Sequence, residues 1–212
     1  AKNNVDILCL PECYLQGYDL DETQARKLAV NIDSVEFQLM LNNLKKSSVT
    51  LILGLIEIDE CRLFNTAIII ESGLVIAKYR KHFLMSKESH FTRGIEFPVF
   101  EKNSFKYGIN ICYDSQFPES ASELVTKGAE IIFCPLNNSL PNEIAEKWKE
   151  KHIELLKQKA IESSCWVVSS DVVEVSEVKK SYGCTAIIDD QGIMKEIVDY
   201  GKEGMIKYNV QK

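Results

Sequence analysis

The sequence predicts a layered α/β sandwich with mixed rather than purely parallel sheets. Three observations carry that expectation. Strand-like apolar runs outnumber helical ones. The Glu71-Ser72-Gly73 break between two such runs reads as a hairpin turn. Hairpins are interspersed with strand–helix–strand units, which calls for α+β layers.

The elements follow in chain order. Residues 5–10 (Val-Asp-Ile-Leu-Cys-Leu) form a short apolar run ended by Pro11, as in a buried strand leading into a loop. Ser34 can cap a helix through about residue 44, with Val35, Leu39, Leu41 and Leu44 on its apolar side. Runs at 49–58, 63–70 and 74–79 are β-rich, and a loop spans 82–96. An extended stretch opens at 98–100, and residues 107–112 read as a strand whose end carries Cys112. Pro118, Ala121, Leu124 and Val125 mark a short helix stopped by Gly128. Residues 130–134 form a strand stopped by Pro135, and apolar spacing over 142–163 predicts one helix. Strands are expected at 165–173, at 182–189, after the 189–192 turn at 193–198, and in a last run to 210.

Composition narrows the function. Of 212 residues, 45% are apolar and 26% charged, ordinary for a folded domain with its own core. Lys and Arg number 25 against 31 Asp and Glu, a net charge of −6, with no basic footprint for nucleic acid or anionic lipid. No apolar run reaches the ~18 residues of a membrane span, and the opening residues lack a secretory pattern. Seven cysteines without a CxxC pair and three scattered histidines (His82, His90, His152) argue against a zinc site. A reduced, cytoplasmic protein is the expectation.

Three strand ends carry residues capable of joint chemistry: Glu12 after Leu10-Pro11, Lys81 in Tyr79-Arg80-Lys81-His82, and Cys112 before Tyr113-Asp114. A thiol attacks as thiolate, and a nearby ammonium favours that form. A carboxylate can take the thiol proton and return it to a leaving amine, and the ammonium can stabilise a developing oxyanion. Each residue also has a plain reading. Cys112 could be a small core residue, Glu12 a loop cap, and Lys81 solvated surface. Composition and spacing do not decide between them.

Larger blocks do. Residues 5–12 followed by Gly17-Tyr18 resemble the first catalytic block of the nitrilase (carbon–nitrogen hydrolase) superfamily. Residues 79–82 are similar to its lysine block, and residues 108–114 with Phe117-Pro118-Glu119 to its nucleophile block. Lys159-Ala160-Ile161-Glu162 with Val167-Val168, and residues 183–189 with Gly192, agree as well. Where the family often has Arg-Ala-x-Glu-Asn, this chain has Lys159-Ala160-Ile161-Glu162-Ser163.

The resemblance implies a four-layer α-β-β-α sandwich of two mixed sheets, in one hydrolase domain spanning 1–212. Family members place a strand and helix ahead of the Pro-Glu block, so the strand at 5–10 is expected to border a vacant sheet position. Residues 1–4 read as a helix end. The implied reaction is hydrolysis of a non-peptide carbon–nitrogen bond in a small amide, nitrile or ureido (N-carbamoyl) substrate. Cys112 would form a thioester, Glu12 would act as acid and base, and Lys81 with the Tyr113 N–H would hold the oxyanion. Glu88 is the candidate for the family's second glutamate. No metal or organic cofactor is implied. A homodimer or larger assembly is expected, with Ile144, Trp148, Leu155 and Leu156 as its apolar stripe. The alternatives are an isochorismatase-like cysteine amidase and a catalytically silent binding member of the same fold.

Overall fold

The computed structural model describes residues 5–18 and 21–211; the helix end expected at 1–4 lies outside them. The chain divides into two units, Ala1–Glu96 and Phe97–Lys212. Each has its own mixed sheet, so the molecule is of the mixed α/β class the sequence predicts.

The first unit runs β1 (Ile7–Cys9), α1 (Glu22–Leu28), α2 (Val35–Leu41), β2 (Thr50–Asp59), β3 (Arg62–Glu71) and β4 (Leu74–Arg80). The strands lie side by side in chain order. β1 is parallel to β2, the other pairs are antiparallel, and among the described residues β1 pairs with β2 alone. Runs such as Leu-Ile-Leu-Gly-Leu-Ile and Thr-Ala-Ile-Ile-Ile are apolar on both faces because both faces are buried. Ser72 (φ 48°) and Gly73 (φ 76°) supply the two left-handed residues that let the β3–β4 ribbon turn tightly.

Ser34 caps α2 by accepting a hydrogen bond from Phe37 N. The buried side of this helix differs from expectation. Phe37 and Leu41 pack against Leu53, Leu55, Ile68 and Ile70 of the sheet, whereas Val35 and Leu39 are exposed. A four-residue spacing aligns side chains on one face, and Phe37–Leu41 satisfies it. α1 lies outside the elements the sequence predicts. Its signal is local: Asp21 and Gln24 form a reciprocal capping box, while Ala25 is its one buried residue.

The second unit runs β5 (Phe100–Lys102), β6 (Phe105–Ile109), α3 (Pro118–Thr126), β7 (Ile131–Pro135), β8 (Leu140–Pro141), α4 (Asn142–Trp148), α5 (Lys151–Ser163), β9 (Trp166–Ser170), β10 (Glu174–Val175), β11 (Lys179–Ser181), β12 (Ala186–Ile188) and β13 (Met194–Ile197). Its main sheet has the order β13-β12-β9-β7-β6-β5, with β6, β7 and β9 parallel. A small antiparallel ladder joins β10, β11 and β8. α3 starts on Pro118 and ends at Gly128 (φ 87°). There Gly128 N donates to Val125 O and Ala129 N to Leu124 O, the paired bonds that close a helix on a left-handed glycine.

Two of the expected elements differ here. Residues 142–163 form two helices: α4 leans on β8 and β11 while α5 packs on β9 and β12, so the chain leaves the helical ladder between them. Within the intended dimer stripe, Leu156 is buried in its own unit and Ile144 is exposed. The last run, 199–211, contains no strand. Among the described residues no helix is long and apolar enough to cross a membrane.

Candidate active site

Glu12 stands where the chain leaves β1. Leu10 N donates to Ile52 O and Leu15 N to Gly54 O, so residues 10–15 continue alongside β2. That path needs a glycine. A Cβ on Gly54 would lie 2.2 Å from Pro11 O and 2.8 Å from Cys13 N. Lys81 follows β4 and is held by its backbone: its N–H donates to Asn65 O at 2.8 Å, and its carbonyl accepts from Gly94 N at 2.7 Å. Gly94 is required for the same reason, since its Cβ would sit 2.1 Å from Arg80 O.

These placements bring three charged side chains together in the interior of the first unit. Lys81 Nζ donates to Glu12 Oε1 at 2.7 Å and to Glu88 Oε1 and Oε2 at 2.8 and 3.0 Å. Glu12, Lys81 and Glu88 are 1%, 0% and 2% exposed. Met85 N also donates to Glu88 Oε2, closing the short helical turn Ser86–Glu88. Burial is the largest influence on Glu12 and raises its carboxyl above the ordinary range. Lys81 pulls it down, Glu88 pushes it up again, and the net direction is upward. A carboxyl raised in this way holds its proton more readily than an ordinary glutamate.

Asn65 completes the cluster, its Nδ2 donating to Glu12 Oε1 at 2.8 Å and to Glu88 Oε1 at 3.2 Å. Sequence reasoning missed it, because one polar residue inside an apolar strand shows nothing of partners far away in the chain.

Cys112 belongs to the second unit. Two residues separate it from the end of β6, and it opens the turn Cys112–Gln116 with φ 44°, a left-handed conformation unusual for cysteine. Asp114 braces this turn, its Oδ2 accepting from Ile111 N at 2.9 Å. Ser115 Oγ donates to Cys112 O, and Ser120 Oγ lies within 3.0 Å of Asn110 Oδ1. Tyr113 packs edge-on against Phe117. From α5, Lys159 Nζ reaches Phe117 O at 3.4 Å, and burial lowers its pKa.

A glutamate–lysine–glutamate cluster after two strands, and a strained cysteine after a third, invite comparison with known proteins. The family model described as carbon–nitrogen hydrolase matches residues 1–212. The chain belongs to that family.

Among relatives of this carbon–nitrogen hydrolase, a Schizosaccharomyces pombe protein described as a probable nitrilase is 29% identical, over 98% of this chain and 76% of the relative. The 2-oxoglutaramate amidase of Bacillus subtilis is also 29% identical, over 98% of this chain and 78% of its own. The match to an (R)-stereoselective amidase of Pseudomonas, at 28% identity, spans 65% of this chain and half (50%) of that protein. The fold is that of a Saccharomyces cerevisiae member of branch 10 of the nitrilase superfamily, with TM-score 0.79 and 25% identity over 93% of this chain and 74% of that one. Family membership removes the isochorismatase-like alternative.

Three of the hydrolase's other cysteines differ from Cys112 in setting. Cys134 is fully buried, and burial pushes its thiol up to about 12. Cys165 and Cys184 are also raised by burial. Such thiols stay protonated and inert. Cys112 is half-buried, and none of the seven is in a disulfide.

Proposed function

We propose that this chain hydrolyses a small amide or N-carbamoyl amide through a covalent thioester on Cys112. The observation that carries the reading is the buried Lys81 bound by both Glu12 and Glu88 within 3.0 Å. An ammonium sealed from water among carboxylates is costly for mere stability, and such arrangements concentrate at functional sites. In the proposed reaction Glu12 takes the Cys112 proton as sulfur bonds to the substrate carbonyl. Lys81 and the Tyr113 N–H stabilise the oxyanion. Collapse of that intermediate breaks the C–N bond, and Glu12 passes its proton to the departing amine or ammonia. Water, deprotonated by Glu12, then cleaves the thioester to the acid and restores the thiol. Loss of one oxyanion donor typically costs about 10²–10³ in rate.

The names of the relatives point the same way: amidases recur among them, alongside nitrilases. We favour amides over nitriles on that count. The reading also includes a reducing, cytoplasmic setting, supported by seven cysteines without a disulfide, and an assembly of two or more copies, which light scattering tests. Ammonia release across a panel of amides, ureido acids and nitriles tests the activity. Turnover of an amide or ureido acid, lost in Cys112→Ser, is expected. Release from none of them contradicts the reading and favours a binding role.

A further inference from the structure

Two carboxylates, Glu12 and Glu88, share the Lys81 ammonium in a site closed to water. The other donor that both of them meet is neutral. A primary amide carries two N–H bonds, and Asn65 Nδ2 directs one to each glutamate Oε1, at 2.8 and 3.2 Å. Its main chain grips the third member, since Asn65 O accepts from Lys81 N at 2.8 Å. The orientation of the amide is set from behind, where Cys13 Sγ donates to Asn65 Oδ1 at 3.5 Å. Aspartate at this position would add a third carboxylate, and serine would fall short of both. After these bonds Glu12 has one oxygen occupied twice, while Oε2 is buried with no hydrogen-bond partner among the described residues.

We propose that Asn65 is a positioning residue of the proton-exchange site: it pins Oε1 of both glutamates and so leaves Glu12 Oε2 as the oxygen that takes and returns the proton. Cys13 belongs to the same device by keeping the amide's N–H bonds toward the carboxylates. The inference rests on the reading of Glu12 as acid and base, and it adds which atom acts and what holds it there.

The test follows the Glu12 titration directly, by ¹³C NMR of the whole chain labelled at glutamate Cδ, with the signal identified by its loss in Glu12→Gln. The charged groups facing Glu12 are Lys81 and Glu88. Both are kept, so only the amide changes in Asn65→Ala. A hydrogen bond to the ionised form favours that form, so its removal is expected to raise the Glu12 midpoint by about one pH unit. The acid limb of kcat/KM for an amide moves with it. A midpoint and limb that stay in place overturn the assignment, however much rate is lost. Should Asn65→Ala fail to fold, Cys13→Ala carries the test: a smaller upward shift supports the inference, and an unmoved midpoint overturns it. A protein that shows the shift yet hydrolyses no amide or ureido acid refutes the proposed function while upholding the role of Asn65.

Discussion

Arg80 and Lys81 are neighbours in the chain, and each meets a buried glutamate on an opposite face of the same sheet. Arg80 donates to both oxygens of Glu57, which also accepts from Lys78 and Thr66, and Arg80 reaches Asp59 as well. Its guanidinium lies 3.6 Å from the Phe64 ring centre. Burial pushes Glu57 upward, but the hydrogen bonds from Arg80, Lys78 and Thr66 outweigh it and hold the carboxyl below its ordinary range. Glu12 has two donors on one oxygen, none on the other, and a second carboxylate nearby, and its carboxyl is raised. Both sites set a buried glutamate against a basic side chain. What separates them is the ratio of donors to carboxylate oxygens: saturation holds the Glu57 carboxyl below its ordinary range, and deficit leaves burial to raise that of Glu12.

The largest expected effect comes from neutralising each glutamate in turn. Glu12→Gln should lower kcat/KM by about 10²–10⁴-fold while the unfolding midpoint holds or rises, because an excess buried charge is removed. Glu57→Gln should leave kcat nearly untouched and cost about 3 kcal/mol of stability, limited because Arg80 retains Asp59. Equal activity losses in the two variants would erase the distinction. Gly54→Ala sharpens it from the backbone side. The added methyl meets Pro11 O and displaces Glu12, so a loss of about 10²-fold in kcat is expected. Glu57 takes its hydrogen bonds from Thr66, Lys78 and Arg80, so its cluster should hold in stability assays at low pH.

The smallest effect is the pH dependence of stability, and its sign differs between the sites. Glu57, depressed, stabilises the fold above its unfolded value near 4.5 and loses that contribution as pH falls through its folded value. Glu12, raised, binds its proton more tightly in the fold, so its contribution declines as pH rises from 4.5 through its folded value. Urea midpoints between about pH 3 and 8 should show the deficit of Glu57→Gln widening with pH, while Glu12→Gln gains on the parent protein. Parallel curves would contradict the comparison.

Much of this was legible in the residues. The strands at 50–59, 62–71 and 74–80 follow from long apolar runs, and their turn from Ser-Gly after Glu71. The Ser34 cap and the Pro118–Gly128 helix follow from local chemistry that acts within four residues. Glu12, Lys81 and Glu88 are marked by the motif blocks around them. What escaped has a common cause. α1 buries one residue and leaves no apolar stripe to read. The break between α4 and α5 depends on which sheet each helix packs against, and the partners of Asn65 lie 53 and 23 residues away. Local signals carry caps, turns and strand runs; packing choices and buried polar contacts are decided by tertiary neighbours.

The central claim is that catalysis passes through a thioester on Cys112. Rapid acid quench during turnover of an amide substrate, followed by mass spectrometry of the peptides, tests it directly. The acyl mass is expected on the peptide containing Cys112, present within the first turnover and missing in Cys112→Ser. An actively hydrolysing protein that carries the acyl group on another residue, or turns over at full rate as Cys112→Ser, would contradict the account.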